Sequence, residues 1–408
     1  MSMNNKVPEI RFERFSREWA NKNIGNILAE INRPIELMDE ESYQLVTVKR
    51  RNEGVVPRAI LKGKNILVKN YFIVNSGDYL ISKRQVVHGA NGIVPKSLDN
   101  AVVSNEYLVV TDSDDITAKF WTAISKRPEM HKLFFVSSYG VDIEKLVFDV
   151  TDWKNRAITV PQITEQNAIT DYFQKLDSLI NQHQQKHDKL SNIKKAMLEK
   201  MFPKQGETIP EIRFKGFSGK WEESSLFVET IVSTGFPFDS SDFCDSGNLL
   251  VITNGNIQNS SSAVNGKVGN RIATEKVDLL NQYALNIGDI LVTMDGSVGR
   301  TAKVIEPNQI LAQRVGRLVA KNNTEFLYQS LNTGAFLDAM TTISHGGTIK
   351  HISLSDIGSY MLLVPDNLEE QEKIGNYFQK LDGLISQHQQ QITKLNNIKQ
   401  ACLNKMFV

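Results

Sequence analysis

Asp149, Asp152 and Lys154 lie within six residues of one another, and Asp152-Trp153-Lys154 is the sole acidic-x-Lys tripeptide in the chain. Two carboxylates and a lysine so spaced could hold a divalent cation against a scissile phosphate. A polar edge leading into a helix uses the same residue types and is the simpler expectation. His183 and His187 stand four apart on one helical face, but no Cys or Glu joins them at a metal-ligand spacing, so polar layers in a helical seam account for them without a metal. Gly63-Lys64, Gly219-Lys220 and Gly266-Lys267 lack the upstream glycine and the following Ser or Thr of a phosphate-binding loop. No Asn-Pro-Pro-Tyr segment for methyl transfer is present. The expectation is a chain that binds without catalysing: no catalytic residue, no metal ligand and no cofactor of its own.

The chemistry that remains has to be positioned by the fold. At 408 residues the chain has length for two domains with separate cores, and 41% hydrophobic against 23% charged residues is a folding composition rather than a disordered one. Cys244 and Cys402 are too few for a disulfide framework and fit a reducing cytosol. No run approaches about 18 apolar residues, and the first residues lack a signal-peptide core, so a cytoplasmic location without a membrane partner is expected. A net charge of +1 argues against a protein that holds nucleic acid by phosphate attraction alone. Residues 1–160 carry 23 Lys and Arg against 20 Asp and Glu, and residues 206–364 carry 12 against 16, so the first half is the more basic.

An internal repeat dominates the organisation. VPEIRFERFSREW (residues 7–19) returns as IPEIRFKGFSGKW (residues 209–221), and QNAITDYFQKLDSLINQHQQKHDKLSNIKKAMLEKMF (166–202) returns as QEKIGNYFQKLDGLISQHQQQITKLNNIKQACLNKMF (371–407). The intervening residues, about 23–158 and 225–362, share little beyond Ser76-Gly77-Asp78-Tyr79-Leu80 against Ile287-Gly288-Asp289-Ile290-Leu291. These divergent regions carry short β-branched and aromatic runs at 43–48, 107–110, 249–253 and 290–293, bounded by Gly, Asn, Asp and Ser, with one helix expected over 325–340.

The second repeated block reads as a long helix, with Pro161 or Pro365 and then Glu165, or Glu369 and Glu370, at its start. Steps of four and three link Ile169, Phe173, Leu176, Ile180, His183, His187, Leu190, Lys194, Met197 and Met201. The same steps link Ile374, Phe378, Leu381, Ile385, His388, Ile392, Leu395, Lys399, Cys402 and Met406. This is a heptad seam broken by polar layers, and the duplication favours the two seams packing on one another, with each packing on its own domain as the alternative.

A start ending in Trp, a variable domain with a Gly-Asp strand, a proline, and then a helix of the form I…YFQKLD…I…H…L..IK…L..KMF, all repeated, resembles the specificity subunit of Type I restriction-modification systems over the whole chain. The resemblance implies an α+β fold: two β-rich target-recognition domains (1–160 and 206–364), separated and joined by two conserved spacer helices (161–205 and 365–408) in an antiparallel coiled coil, with pseudo-twofold symmetry. It implies double-stranded DNA as ligand, each variable domain reading one half of a bipartite site. Two methyltransferase subunits would dock on the helices and use S-adenosylmethionine, and restriction motor-nuclease subunits would use ATP and Mg2+. A coiled-coil adaptor with two domains binding something other than DNA is the competing reading.

For DNA contact, Lys49-Arg50-Arg51 is followed by Arg58, Lys62, Lys64 and Lys69 with only Glu53 opposing, a pattern suited to phosphates. Lys83-Arg84-Gln85, with His88 and Asn91, follows the expected strand 78–82. Arg bridges guanine O6 and N7, and Gln or Asn bridges adenine N6 and N7. The matching place in the second domain is Asp295-Gly296-Ser297-Val298-Gly299-Arg300, where Ser297 and Arg300 are the candidates. The loop His345-Gly346-Gly347-Thr348-Ile349-Lys350-His351 resembles a glycine-rich turn of the family and adds Thr348, Lys350 and His351. Solvated surface and plain β-turns use the same residue types.

Overall fold

The computed structural model describes residues 6–67, 70–258, 261–273, 281–347 and 349–408. The repeated blocks form two uninterrupted helices, Ile163–Met201 and Leu368–Lys405. Gln, Lys, Glu and Leu are strong helix formers, and neither Gly nor Pro interrupts the first, which runs about 58 Å at 1.5 Å per residue. In the second, Gly375 allows a close approach: a Cβ there would sit 2.6 Å from Asn323 Oδ1 and 3.1 Å from the Phe326 amide.

The chain divides into two compact units, Met1–Gln182 with Gln391–Val408, and His183–Gln390, so each long helix contributes to both. In the first unit a four-stranded antiparallel sheet runs in the order Ala29–Glu30, Tyr107–Thr111, Tyr79–Ser82, Asn91–Ile93. Beside it a five-stranded sheet contains the hairpin Ser42–Lys49 and Gly54–Lys62. The second unit repeats the four-stranded order with Thr230–Thr234, Val315–Ala320, Ile290–Thr293 and Thr301–Lys303, but its other sheet has three strands. The 290–293 run is a strand at those bounds, and the runs at 43, 107 and 249 lie in strands shifted by a residue or so at an end. The single helix expected over 325–340 is two, Thr324–Leu331 and Ala335–Ile343, because Gly334 takes a left-handed φ of 104° between them.

The same contacts close both units. In the first, Arg11 forks onto Glu165 with Nε and Nη2 each at 2.7 Å, and Glu165 is buried. Arg213 forks onto Glu370 at 2.6 and 2.7 Å in the second, and Glu370 is buried completely. Ile10 donates its amide to the Lys405 carbonyl, as Ile212 does to that of Lys200. The Phe407 ring packs against Trp19, Phe120 and Phe173, and the Phe202 ring packs against Trp221, Phe326 and Phe378.

The long helices pack on one another in antiparallel fashion. Going up the first helix and down the second, Tyr172 approaches Cys402 and Asp177 pairs with Lys399 at 2.5 Å in the first unit. In the second unit His183 meets His388 and Lys194 pairs with Asp382 at 2.7 Å. Both expectations for the seam are met in different stretches. Phe173, Leu176, Phe378 and Leu381 are buried in the domain cores, Leu190 and Leu395 pack half-buried against those cores, and Ile180, His183, Ile385 and His388 are half-buried outside them, with His183 against His388.

Glu370→Gln strands the guanidinium of Arg213 without its counter-charge and is expected to lower unfolding free energy by about 3 kcal/mol in urea titrations. The His183 and His388 Nδ1 atoms lie 2.9 Å apart. Burial, and then His183, Lys186 and His187, hold His388 below its ordinary pKa of 6.5. A group depressed in the folded state contributes stability that is complete above about pH 6.5 and is lost as the pH falls through its lower folded value. Replacing both histidines with Leu should therefore flatten the decline of the thermal midpoint below about pH 6.5, and removal of a polar layer should separately raise the midpoint at neutral pH. A polar layer fixes register at a cost in stability, so a clear drop in the midpoint would mean that the histidines sit in a stabilising network instead.

Candidate nucleic-acid interface

In the first unit the hairpin turn at 50–53 and the loop at 83–91 become one surface. Arg51 and Asn52 take left-handed φ values of 59° and 56°, which turns the chain sharply enough for Arg51 N to donate to His88 O at 2.7 Å and Asn52 N to Gly89 O at 2.9 Å. Side chains lock the junction: Arg50 Nε donates to Gln85 Oε1 at 2.8 Å, and Asn52 Nδ2 to Asn91 Oδ1 at 3.1 Å. Asn91 is buried and His88 half-buried, so both support the loop from beneath. Lys83 donates to the Asn105 carbonyl at 2.8 Å, and Arg84 Nε to Glu106 at 2.9 Å. Arg51 is exposed, with no side-chain partner among the described residues.

The basic run is more neutralised than its local sequence implies. Besides Glu53 beside Lys49, Glu144 pairs with Arg50 at 2.6 Å, and Glu40 accepts from both Lys62 and Lys64 at 2.9 Å. Those two ammonium groups hold the Glu40 carboxyl below its usual range, Lys62 first. The expectation that only Glu53 opposes the run is corrected, since the other carboxylates arrive from distant segments. Lys69 lies outside the described residues.

In the second unit two candidate loops also meet. After Ile290–Thr293, Thr293 Oγ1 donates to Ser297 O and accepts from Arg300 N, closing the loop on itself. Gly296 N donates to Lys350 O at 2.8 Å, and Asp295 pairs with His351. His345 and His351 exchange backbone hydrogen bonds at 2.9 and 2.8 Å. Ser297 and Lys350 are exposed, and Thr348 lies outside the described residues. Arg300 lines a cavity of about 390 Å³ with Lys194, Tyr328 and Asp382.

Sequence reasoning missed Glu106, Glu144 and Arg314. Arg314 Nη1 donates to Asp295 at 3.1 Å. Burial raises the Asp295 pKa, but His351 and Arg314 outweigh it and hold the carboxyl below its ordinary value. The available signal was Gln313-Arg314, a polar break between two apolar runs.

The Gly-Asp strand starts are alike. Gly77 and Gly288 take φ of 97° and 99°, and Asp78 and Asp289 accept backbone amides from Asn75 and Asn286. Each aspartate also binds an arginine, Arg33 at 2.5 Å and Arg317 at 2.7 Å. The triad of Asp149, Asp152 and Lys154 shares no common point: Asp149 caps the helix Val150–Lys154, Asp152 pairs with Arg156 and Lys154 with Glu30. No group of three metal-binding side chains occurs among the described residues, and no helix there is long and apolar enough to cross a membrane.

Residues 220–397 match the family model described as Type I restriction modification DNA specificity domain. Over 97% of the chain and 93% of the relative, 22% of residues are identical to the Type I restriction enzyme MjaVIII specificity subunit of Methanocaldococcus jannaschii. The fold is similar to the crystal structure of a Type-I restriction-modification system S subunit from M. genitalium, with a TM-score of 0.58 and 15% identity over 98% of this chain and 99% of that one. The HsdS subunit from Thermoanaerobacter tengcongensis aligns over 95% of this chain and 96% of that one at 16% identity and a TM-score of 0.44.

Asn91→Ala removes the acceptor of Asn52 Nδ2 beneath the joined surface. It is expected to cost about 1–2 kcal/mol in urea unfolding, and unchanged stability would show that the junction holds without this bond.

Proposed function

We propose that the chain, whose residues 220–397 match the Type I restriction modification DNA specificity domain, is a specificity subunit that reads a bipartite DNA site, one half with each β-rich unit, while the long helices set the spacing between the halves and dock two methyltransferase subunits. The observation that carries this reading is the contrast between closure and surface. Both units are closed by the same Arg–Glu fork and the same phenylalanine insertion, whereas the loops beyond the Gly-Asp strand are unlike, with Arg84 and Gln85 in one where Asp295 and Gly296 stand in the other. A constant frame with divergent loops suits one partner type and two unlike half-sequences. Catalysis belongs to the partners: the methyltransferase subunits use S-adenosylmethionine, and motor-nuclease subunits use ATP and Mg2+. The repeat is taken to give the two docking surfaces a pseudo-twofold relation.

Within the first reader, Lys49, Arg50 and Arg51 suit phosphates, and Lys83, Arg84 and Gln85 suit base edges. Binding then requires the carboxylates of Glu53 and Glu144 to give up their partners at least in part. Such an interface gains affinity from released counterions and discriminates by the few side chains that reach the groove.

The spacing role has a direct test. Both helices end in cores, Phe202 in the second unit and Phe407 in the first, so a heptad must be removed from both to keep each end seated. Deleting residues 184–190 together with 389–395 shortens each helix by about 10 Å, on the order of three base pairs at 3.4 Å each. In complexes with the methyltransferase, mapped adenine methylation should keep both half-sequences and show a shorter gap. Deleting 184–190 alone should destabilise the chain. An unchanged gap in a soluble, active double-deletion complex would refute the spacing role.

A further inference from the structure

The strands beneath the candidate loops correspond in register. Ser82 stands opposite Tyr107 in the first unit, and Thr293 stands opposite Val315 in the second. Two residues beyond the first member of each pair lie Arg84 and Asp295. One residue before the second member lie Glu106 and Arg314. Arg84 binds Glu106 at 2.9 Å and Arg314 binds Asp295 at 3.1 Å. The two readers thus carry an ion pair at the same place with its charges exchanged.

We propose that this exchanged ion pair is the element by which each unit selects a base pair, and that Arg314, rather than Arg300, is the base-contacting arginine of the second reader. The inference rests on the DNA-reading function above. The chemistry it fits is a G·C pair in the major groove, with the guanidinium on guanine O6 and N7 and the carboxylate accepting from cytosine N4. Exchanging the charges presents guanine and cytosine in the opposite order.

Several features single out Arg314. Its side chain is 65% exposed and that of Arg84 is 58% exposed, so both stand free of the core at a strand end. Only Nη1 of Arg314 and Nε of Arg84 are engaged among the described residues, which leaves each guanidinium two further nitrogens for a bidentate contact. Arg314 also takes φ of 66°, a left-handed conformation that a long side chain rarely adopts. Apart from three asparagines, the described non-glycine residues with positive φ are Arg51 and Arg314, one in each candidate surface. Strain of this kind persists only where surrounding structure imposes it, and it concentrates at functional positions.

Arg300 has a different setting. One side of its cavity is formed by Lys194 and Asp382 of the long helices, an ion pair whose counterpart in the first unit is Lys399 with Asp177. Arg300 thus stands against the repeated helices, whereas Arg314 stands at a strand end of the divergent region.

The test uses the chain in complex with its methyltransferase partner on randomised duplexes. Arg314→Ala, and Arg314→Gly, which relaxes the backbone while removing the guanidinium, should each lower preference for guanine at one position of the second half about tenfold or more. Both should leave the first half unchanged. Arg84→Ala should do the reverse. The exchange Asp295→Arg with Arg314→Glu should rebuild the pair in the order of the first unit and move the preferred guanine to the other strand of the second half. Retention of the second-half preference by the Arg314 variants, or its loss in Arg300→Ala, would overturn the inference. So would a uniform loss across all sequences with a smaller salt dependence, which marks a phosphate contact and leaves DNA binding intact. A wild-type complex that selects no sequence would remove the function reading as well, and is distinguishable because no variant would then be needed to see it.

Discussion

Each unit hangs on a guanidinium buried against a carboxylate. Arg11 and Arg213 come from the repeated arms, and Glu165 and Glu370 from the first turns of the long helices, at sequence separations of 154 and 157 residues. Burying such a pair is costly, and the cost is offset only when geometry is good and the remaining hydrogen-bonding capacity is filled. Arg213 meets that condition with all three nitrogens engaged, Nη1 on the Gly219 carbonyl, and Arg11 comes close to it, its Nη2 also reaching the Arg17 carbonyl. With the arm fixed, Trp19 and Trp221 are set into their cores, and the ends of the long helices find a ready-made aromatic seat. The strand pairs Ala20–Asn23 with Ala157–Val160, and Glu222–Ser225 with Met361–Val364, then close each divergent region at its base.

Within that closure the loops were free to diverge, and the Gly-Asp turn shows how. The aspartate, its glycine and the amide it accepts are the same in both units. The arginine that neutralises it is not: Arg33 precedes the strand in sequence, and Arg317 lies on the neighbouring strand Val315–Ala320. A buried carboxylate demands a cation, but either of two routes supplies it. The same freedom operates at the exposed strand ends, where Arg84 and Asp295 occupy one place with opposite charge.

What could be read from sequence was local. Helices of 39 and 38 residues declare themselves by periodicity, and the seam positions repeat every three or four residues. Candidate loops were legible from the turn residues around them, so Arg50 and Arg84, or Ser297 and His351, were found separately. Their convergence was not, because Arg51 meets His88 and Gly296 meets Lys350 through backbone bonds that leave no trace in composition. Long-range charge was equally hidden: Glu144 pairs with Arg50 across 94 residues. The break at Gly334 was missed because one glycine in an apolar, helix-forming stretch is often tolerated within the helix.

The division of the chain into units also sets an order of events during synthesis. Every residue of the second unit, His183–Gln390, has been made before the ribosome reaches Gln391, whereas the first unit needs Gln391–Val408 to complete its core. The half that begins first is therefore finished last. In the interval Trp19, Phe120 and Phe173 lack the Phe407 ring, and an apolar seat stands open in a nascent chain. Such exposure invites misassembly with other copies being translated on the same message, a hazard that falls on the first half and spares the second, whose Phe202 arrives early.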